Sequence, residues 1–301
     1  MSSNTPQGGK HRAGFVNIIG NPNVGKSTLM NALVGEKLCI VTAKAQTTRH
    51  RIMGIVNTDD YQIVYSDTPG ILKPNYRLQK NMMDFVDTAI GDADIILYVT
   101  DTVEKADKNE DYIEKLQKLE CPVIVVINKI DISDQAKVMG LISYWNETIP
   151  GATVIPVSAR ERFNLESVLE AIVDKLPVSP PWFDKDQFTD RNLRFFASEI
   201  IREKILENYS QEIPYSCEVA VEAFKEGRER YEISAVIYVM RDTQKGIIIG
   251  KGGAALKKTG TEARLDMDDF FQKKVFLPLV VKVDPDWREN RRELRKFGYE
   301  E

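Results

Sequence analysis

One eight-residue stretch constrains the fold of this chain more than any other feature. Residues 20–27 read Gly-Asn-Pro-Asn-Val-Gly-Lys-Ser, which fits the pattern of a phosphate-binding loop. A strand-like apolar run, residues 15–19, precedes the loop, and a helical stretch, residues 28–34, follows it. A strand, a glycine-rich loop and a helix in that order predict an α/β domain that binds a nucleotide.

The chemistry of such a loop depends on its backbone. Its N–H groups surround phosphate oxygens at the start of the helix, where the helix dipole favours negative charge. Lys26 adds a charge that can reach the β and γ phosphates, and Ser27 offers a hydroxyl to Mg²⁺. We therefore predict nucleotide contacts from Gly20, Asn21, Pro22, Asn23, Val24, Gly25, Lys26, Ser27 and Thr28.

The rest of the first 180 residues alternates strand-like runs with amphipathic helical stretches. The predicted strands are residues 15–19, 61–65, 95–100, 123–127 and 154–157, and examples of the helices are 111–119 and 164–176. Such alternation predicts a mostly parallel sheet covered by helices. Three prolines, Pro177, Pro180 and Pro181, form a semi-rigid connector, so we predict a nucleotide-binding domain over residues 1–180 and a second domain over 181–301.

The second domain has a different order of elements. A helix over residues 193–208 precedes a hairpin of strands 217–225 and 231–239, two helices, and one strand over 275–283. The order helix, strand, strand, helix, helix, strand predicts an α+β domain.

Composition excludes several classes of protein. The net charge of −4 argues against wholesale electrostatic binding of nucleic acid, although residues 245–261 hold four lysines and no acidic residue. No apolar run approaches the 20 or so residues of a membrane span, and no secretory signal is evident, so we expect a cytoplasmic protein. Three widely spaced cysteines and two histidines offer little material for a disulfide framework or a metal centre.

Asp67, Thr68, Pro69 and Gly70 follow the strand at 61–65. A carboxylate at a strand end can hold the water shell of Mg²⁺, and a glycine lets a backbone N–H approach the γ-phosphate. We assign Asp67 and Ser27 to the metal and all four residues to the nucleotide.

Residues that read a guanine base follow two later strands. One carboxylate, that of Asp131, can accept both the N1–H and the amino group of guanine, a donor pair that adenine lacks. Asn128 can bond N7 and neighbouring backbone, and the backbone near Ser158 can donate to O6. We assign Asn128, Lys129, Asp131, Ser158, Ala159 and Arg160 to the base.

These motifs, with Lys44-Ala-Gln-Thr-Thr-Arg-His50, resemble the Era family of translation-factor-like P-loop GTPases. In that family a threonine of this segment binds Mg²⁺ in the GTP state. Thr47 and Thr48 both qualify, and Thr48 is favoured; His50 is expected at the surface.

Ile71 stands where Ras-like proteins have the glutamine that orients water. The resemblance implies that Asn23 with K⁺ supplies the missing positive charge; the alternative is that Asn23 only shapes the loop. The predicted catalytic residues are Lys26, Thr48, Gly70 and Asn23.

Gly250-Lys251-Gly252-Gly253 is similar to the G-x-x-G loop of a type II KH domain, which binds single-stranded nucleic acid. The alternative is a structural helix-turn-helix. The predicted RNA-binding residues are Gly250, Lys251, Gly252, Gly253, Ile248, Ile249, Lys257 and Lys258. The basic stretch 288–296 is expected to be a solvated helix face, with a second RNA contact through Trp287 as the alternative.

The resemblance covers almost the whole chain and implies a function. It implies a GTP-hydrolysing switch that binds the 3′ end of small-subunit ribosomal RNA and assists maturation of the small ribosomal subunit. Its cofactors would be GTP or GDP, Mg²⁺ and, if the Asn23 reading holds, K⁺. We expect a cytoplasmic monomer and leave open a peripheral association with the inner face of the membrane. The rival hypothesis is an RNA-binding adaptor that the nucleotide merely stabilises.

Overall fold

The computed structural model describes residues 11–105 and 109–300, which form two compact units. The first contains residues 11–39, 51–72, 84–105 and 109–190, and the second contains residues 40–50, 73–83 and 191–300. Residues 40–50 and 73–83 belong to the second unit although they lie early in the chain. The domain ranges 1–180 and 181–301 stay a prediction.

The first unit is built on a six-stranded sheet in the order β2-β3-β1-β4-β5-β6. The strands are β1 Arg12–Gly20, β2 Ile52–Asn57, β3 Tyr61–Asp67, β4 Ile95–Asp101, β5 Val123–Asn128 and β6 Thr153–Pro156. Every pairing is parallel except that of β2 with β3. This confirms the mostly parallel sheet; β2 was not among the predicted strands.

Helices flank these strands along the chain. They are α1 Lys26–Val34, α2 Arg77–Gly91, α3 Glu110–Gln117, α4 Gln135–Thr148 and α5 Leu165–Lys175. Strands β4 and β5 are buried along their whole length, as the continuous apolar runs of a sheet covered on both faces require. The predicted phosphate and base residues lie at or just after the carboxyl ends of β1, β3, β5 and β6, where ligands of open α/β sheets bind.

The second unit follows the predicted order of elements from the helix that begins at residue 193 to the helix that ends at residue 270. Its members are α6 Leu193–Asn208, β7 Cys217–Glu226, β8 Arg230–Val239, α7 Asp242–Ile249, α8 Ala254–Phe270, β9 Lys274–Phe276, β10 Leu279–Val283 and α9 Arg291–Lys296. Strands β7 and β8 form an antiparallel hairpin, and β9 and β10 pair with β8 in parallel. Its core joins these layers through side chains such as Ile201, Ile237, Ala263 and Met267, all fully buried.

The prediction of one strand over residues 275–283 was wrong. The segment forms two strands, β9 and β10, separated at Leu277 and Pro278. Proline has no N–H to give to a ladder, and the Pro278 carbonyl instead accepts a hydrogen bond from the Ala235 N–H at 3.2 Å. Both strands still pair with β8, so the α+β order is preserved.

The structure also contradicts the expected exposure of His50 and the alternative in which Trp287 contacts RNA. His50 is buried, its ring stacked on Tyr299 at 4.2 Å between centroids, and burial, with Arg191, Arg202 and Arg49 nearby, holds the pKa of His50 well below its usual value. Trp287 is fully buried and its indole donates to the Ser216 carbonyl at 3.3 Å. It therefore has no free face on which an RNA base could stack.

Candidate nucleotide site and RNA interface

The phosphate loop joins β1 to α1. Gly25 precedes the helix with φ of +98°, a left-handed value that favours glycine. A Cβ there would lie 2.3 Å from the Asn128 side-chain nitrogen. Gly25 has no side chain to cap α1, and the N-terminus of a helix is where an anion is favoured.

Lys26 lies inside the loop. Its ammonium donates to the carbonyls of Gly20 at 3.1 Å and Asn21 at 2.9 Å. Burial lowers the pKa of Lys26 to about 8, against the opposing effect of the nearby carboxylates Asp67 and Glu104. The side chain is thus held as a buried cation whose partners are mostly backbone oxygens, an arrangement that phosphate oxygens would stabilise.

Ser27 and Asp67 meet at the ends of different elements. The Ser27 hydroxyl donates to an oxygen of the Asp67 carboxylate at 2.6 Å, so β3 brings the predicted acidic ligand against the start of α1. A hydroxyl and a carboxylate are the hard oxygen donors that Mg²⁺ prefers. These two residues therefore fit the predicted metal.

Thr68, Pro69 and Gly70 follow Asp67 directly. The Thr68 hydroxyl donates to the Ile18 carbonyl at 2.8 Å, and a Cβ on Gly70 would lie 2.7 Å from the backbone of Pro22. Only glycine lets this segment pass so close to the phosphate loop. The Ile71 N–H then donates to the Gly20 carbonyl at 3.1 Å, which ties the two segments together.

Asn128 connects two segments of the predicted base pocket. Its amide nitrogen donates to the Val24 carbonyl at 2.8 Å, and its amide oxygen accepts the Ala159 N–H at 2.9 Å. One buried side chain thus joins the phosphate loop to the segment after β6. An amide NH₂ has two donors, so the predicted bond to the base is compatible with this bracing.

Among the other predicted base residues, Ser158 contacts Asp131. Its carboxylate is exposed and accepts a hydrogen bond from the Ser158 hydroxyl at 2.6 Å. The Lys129 ammonium contacts the Asn23 carbonyl and the Asp101 carboxylate, each at 2.5 Å. Arg160 is exposed beside the pocket. The structure therefore brings together the predicted phosphate and base residues of the first unit, while Thr48 belongs to the second.

The glycine-rich loop of the second unit lies between α7 and α8. Gly250, Gly252 and Gly253 all have positive φ, from +61° to +80°, and Lys251 is exposed at its tip. Lys257 and Lys258 are exposed on the first turns of α8. Backbone, small residues and three lysines therefore form one accessible positive surface.

A groove of about 400 Å³ lies beside this loop. It is lined by one face of α8 and by β9, β10 and the residues between them, including Leu256, Lys257, Arg264, Phe276 and Leu279. Phe276 is half-exposed, and Arg230 lies over its ring at 5.1 Å. An apolar floor with basic edges suits unpaired bases.

Ile248 requires a correction. Its side chain is fully buried in the core of the second unit, so it supports the loop and is not placed to touch RNA. Its neighbour Ile247 is half-exposed and was not predicted. Hydrophobicity alone could not tell these neighbours apart.

Comparison with known proteins agrees with this geometry. Residues 15–129 match the family described as 50S ribosome-binding GTPase, and residues 212–288 match the KH domain. The chain is 42% identical to the GTPase Era of Pseudomonas fluorescens over 290 residues, which cover 96% of this chain and 97% of that protein. This chain belongs to the Era family of GTPases. It is also 42% identical to the chloroplastic GTPase ERA1 of Zea mays, covering 96% of this chain and 71% of that one.

Two solved Era structures match this Era-family chain along almost its whole length. A tyrosine-to-alanine variant of Aquifex aeolicus Era bound to GDP·AlF₄⁻ has a TM-score of 0.92 and 39% identity, covering 96% of this chain and all of that one. Era in complex with MgGDPNP and nucleotides 1506–1542 of 16S ribosomal RNA has a TM-score of 0.92 and 38% identity, covering 97% and 100%. The fold is therefore a P-loop GTPase followed by a KH domain, and the protein is a GTPase.

Sequence reasoning missed part of this Era-family site. The Asn21 amide donates to the Glu104 carboxylate at 2.7 Å, and the Thr100 hydroxyl donates to the same carboxylate at 2.9 Å. Asn109 also contacts Asn21. No motif marks Glu104, because its role depends on the end of β4 lying beside β1.

The described residues also bear on membrane insertion and on metal binding. None of their helices is long and apolar enough to cross a membrane. Within the same residues, no three His, Cys, Asp or Glu side chains cluster as a metal site, and the three cysteines form no disulfide.

Proposed function

We propose that this Era-family GTPase uses GTP to control how its KH domain binds the 3′ end of small-subunit ribosomal RNA, and that it thereby assists maturation of the small ribosomal subunit. The observation that carries the proposal is that one chain has a phosphate loop beside predicted guanine-binding residues and also has an exposed basic G-x-x-G loop. The similar Era crystallised with MgGDPNP and a 16S ribosomal RNA fragment supports this choice of nucleotide and RNA.

In the proposed GTP complex, each group of the site has one role. Lys26 binds β and γ oxygens in place of the carbonyls that it now contacts. Ser27 and Asp67 would hold Mg²⁺, which neutralises charge on the phosphates when bound. Thr48 stays the further ligand that the sequence predicts. The Asp131 carboxylate accepts the two donors of guanine, and the Ser158 hydroxyl bond orients that carboxylate.

Hydrolysis needs a replacement for the missing glutamine. Ile71 is apolar and buried, so it cannot orient water. We propose that Asn23 helps hold a K⁺ ion against the phosphates and that the Gly70 N–H donates to the γ-phosphate, both stabilising negative charge in the transition state. Ile71 also favours a second candidate, an adaptor in which the bound nucleotide is static and hydrolysis is not the functional step.

For RNA binding, the G-x-x-G loop lets a phosphate backbone approach closely. Lys251, Lys257 and Lys258 are exposed around that approach, and none of the glycines adds a side chain to obstruct it. We propose that the protein works in the cytoplasm, because that is where the ribosomal subunit is assembled, with the inner face of the membrane as an alternative location. We also propose that it is a monomer.

The test compares two charge-reversal variants in titrations with labelled single-stranded RNA. Lys251→Asp/Gly252→Asp places two carboxylates in the loop; a Cβ on Gly252 meets no atom within 4 Å, and aspartate tolerates left-handed backbone. The matched control is Lys225→Asp/Arg228→Asp, on exposed residues of the β7–β8 hairpin.

We expect the loop variant to lose RNA binding by at least about a hundredfold, since repulsion replaces phosphate contacts. The control changes the net charge by more and should bind within about threefold of the parent. GTP binding should survive in both. Unchanged RNA affinity in the loop variant would exclude the KH loop as the RNA site. A separate assay of phosphate release by the parent protein tests hydrolysis, and absence of multiple turnover would favour the adaptor.

A further inference from the structure

Phe276 is an apolar side chain on the solvent-facing side of a strand. Strand β9 alternates exposed, buried and exposed residues, and its buried member, Val275, packs in the core of the second unit. Because successive side chains of a strand point to opposite faces, Phe276 is turned away from that core, and it is 51% exposed. Single exposed apolar residues are common, so the surroundings of the ring have to distinguish chance exposure from a binding role.

The groove beside the G-x-x-G loop extends along α8 toward Phe276. Its lining begins at Gly253, just before α8, and continues along the helix to Arg264, a length of about 16 Å at about 1.5 Å per residue. Arg264 donates to one oxygen of Asp268 at 3.0 Å, and the other oxygen accepts the Val275 N–H at 2.7 Å. These bonds place the neighbouring Phe276 at the Arg264 end of the groove, opposite the glycine loop.

Arg230 covers the Phe276 ring from the adjacent strand. In the parallel pairing of β8 with β9, Arg230 is opposite Lys274 and Glu232 is opposite Phe276, so both members of the pair lie on one face of the sheet. The guanidinium carbon of Arg230 is 5.1 Å from the ring centroid. Arg230 also forms an ion pair with Glu232 at 3.1 Å between half-exposed side chains. Exposed ion pairs add little stability, so Arg230 can leave the ring at low cost.

The ring and the guanidinium together have the chemistry that an unpaired base requires. Aromatic rings and arginine guanidinium planes are the groups on which single-stranded RNA bases stack. A base between Phe276 and Arg230 needs a separation of about 7 Å, which is two contact distances of about 3.5 Å, so Arg230 would move by about 2 Å. A G-x-x-G loop clamps about four nucleotides, and the groove leads from that loop to Phe276.

We propose that Phe276 and Arg230 hold one unpaired RNA base between them, at the end of the groove opposite the G-x-x-G loop. This inference rests on the proposed function, in which that loop binds the backbone of single-stranded RNA. Stacking on an aromatic ring tolerates any base but requires that a base be present. The pair of side chains therefore sets the register of the bound strand, by fixing which nucleotide lies at this end of the groove.

The test combines protein variants with RNA strands that each lack one base. Phe276→Leu keeps an apolar side chain and removes the aromatic face. It should weaken binding of the intact labelled strand by at least about fivefold, the lower end of what one base stacked on an aromatic ring contributes. On one of the abasic strands, parent and variant should bind within about twofold of each other, because the stacked base is then missing for both proteins.

Arg230→Lys tests the other side of the bound base. Lysine keeps the charge that a phosphate contact needs but lacks the plane that stacks, so affinity should fall by about threefold and the loss should disappear on the same abasic strand. Phe276→Trp keeps an aromatic face and should bind within about twofold of the parent. The matched control is Phe163→Leu, the same substitution at an exposed phenylalanine of the first unit, which should leave RNA affinity within about twofold.

The outcomes separate failure of this base site from failure of the proposed function. If Lys251→Asp/Gly252→Asp loses RNA binding while Phe276→Leu binds like the parent, the base site is refuted and the G-x-x-G loop stands. An equal loss from Phe276→Leu on every abasic strand also refutes it, because no single base then depends on the ring. If the loop variant keeps its RNA affinity, the proposed function fails and the base site fails with it. If Phe276→Leu does not fold, Phe276→Ile, which suits a strand better, replaces it in the same titrations.

Discussion

The state of Lys26 makes nucleotide affinity depend on pH in the neutral range. In the free chain, burial lowers the pKa of Lys26 to about 8. Phosphate anions in the complex should restore its pKa toward its ordinary value, so binding favours the protonated form. The sign follows directly: below pH 8 the free chain already carries the proton, and above it each binding event must take one up.

The magnitude follows from linkage. With a free-state pKa of about 8, the dissociation constant scales as 1 plus the ratio of deprotonated to protonated Lys26. That factor rises from about 1.1 at pH 7 to about 4.2 at pH 8.5, so affinity should weaken about fourfold. Lys26→Arg removes this dependence because arginine stays protonated throughout.

The assay is a titration with a fluorescent GDP analogue at constant ionic strength and Mg²⁺. The Lys26→Arg variant keeps every other titrating group of the protein and of the nucleotide phosphates. The ratio of the parent's dissociation constant to that of the variant therefore isolates the effect of Lys26. We expect that ratio to rise about fourfold between pH 7 and pH 8.5. Parallel pH profiles for the two proteins would refute the claim that the pKa of Lys26 is lowered in the free chain and rises when phosphate binds.

Three further predictions follow from the site. Gly70→Ala should cost about 1–3 kcal/mol of unfolding free energy and weaken GTP binding, because its Cβ would lie 2.7 Å from Pro22; Gly91→Ala, which meets no atom within 4 Å, should do neither in the same denaturation series. GTP hydrolysis should be faster in K⁺ than in Na⁺ at equal ionic strength, and Asn23→Ala should abolish the difference; equal rates in the parent would leave Asn23 a structural residue. Asp131→Asn should lose GTP and gain xanthosine triphosphate in competition binding, and undiminished GTP affinity would contradict the base-pocket assignment.

Much of the first unit could be predicted because its motifs carry their own context. A glycine-rich loop needs a strand before it and a helix after it, and the apolar run of residues 123–127 leads directly into Asn128. Parallel strands place their carboxyl ends together, so the Ser27–Asp67 and Asp131–Ser158 contacts follow from order along the chain. Local patterns were sufficient there.

Contacts between distant residues could not be predicted in the same way. Arg49 and Glu218 are 169 residues apart, and no periodicity indicates that one will bury the other. The same limit explains His50, which is polar and follows a loop but is enclosed by Phe195 and Tyr299. Composition reports how polar a segment is; it does not report which surface will cover it.

The central claim, that the nucleotide controls RNA binding, has a direct test. One labelled single strand with the sequence of the 3′ end of small-subunit ribosomal RNA is titrated against the parent protein in two states, bound to a non-hydrolysable GTP analogue and bound to GDP. We predict tighter binding in the triphosphate state by about 5- to 150-fold, the usual range of coupling between two sites. Equal affinities in the two states would contradict the switch.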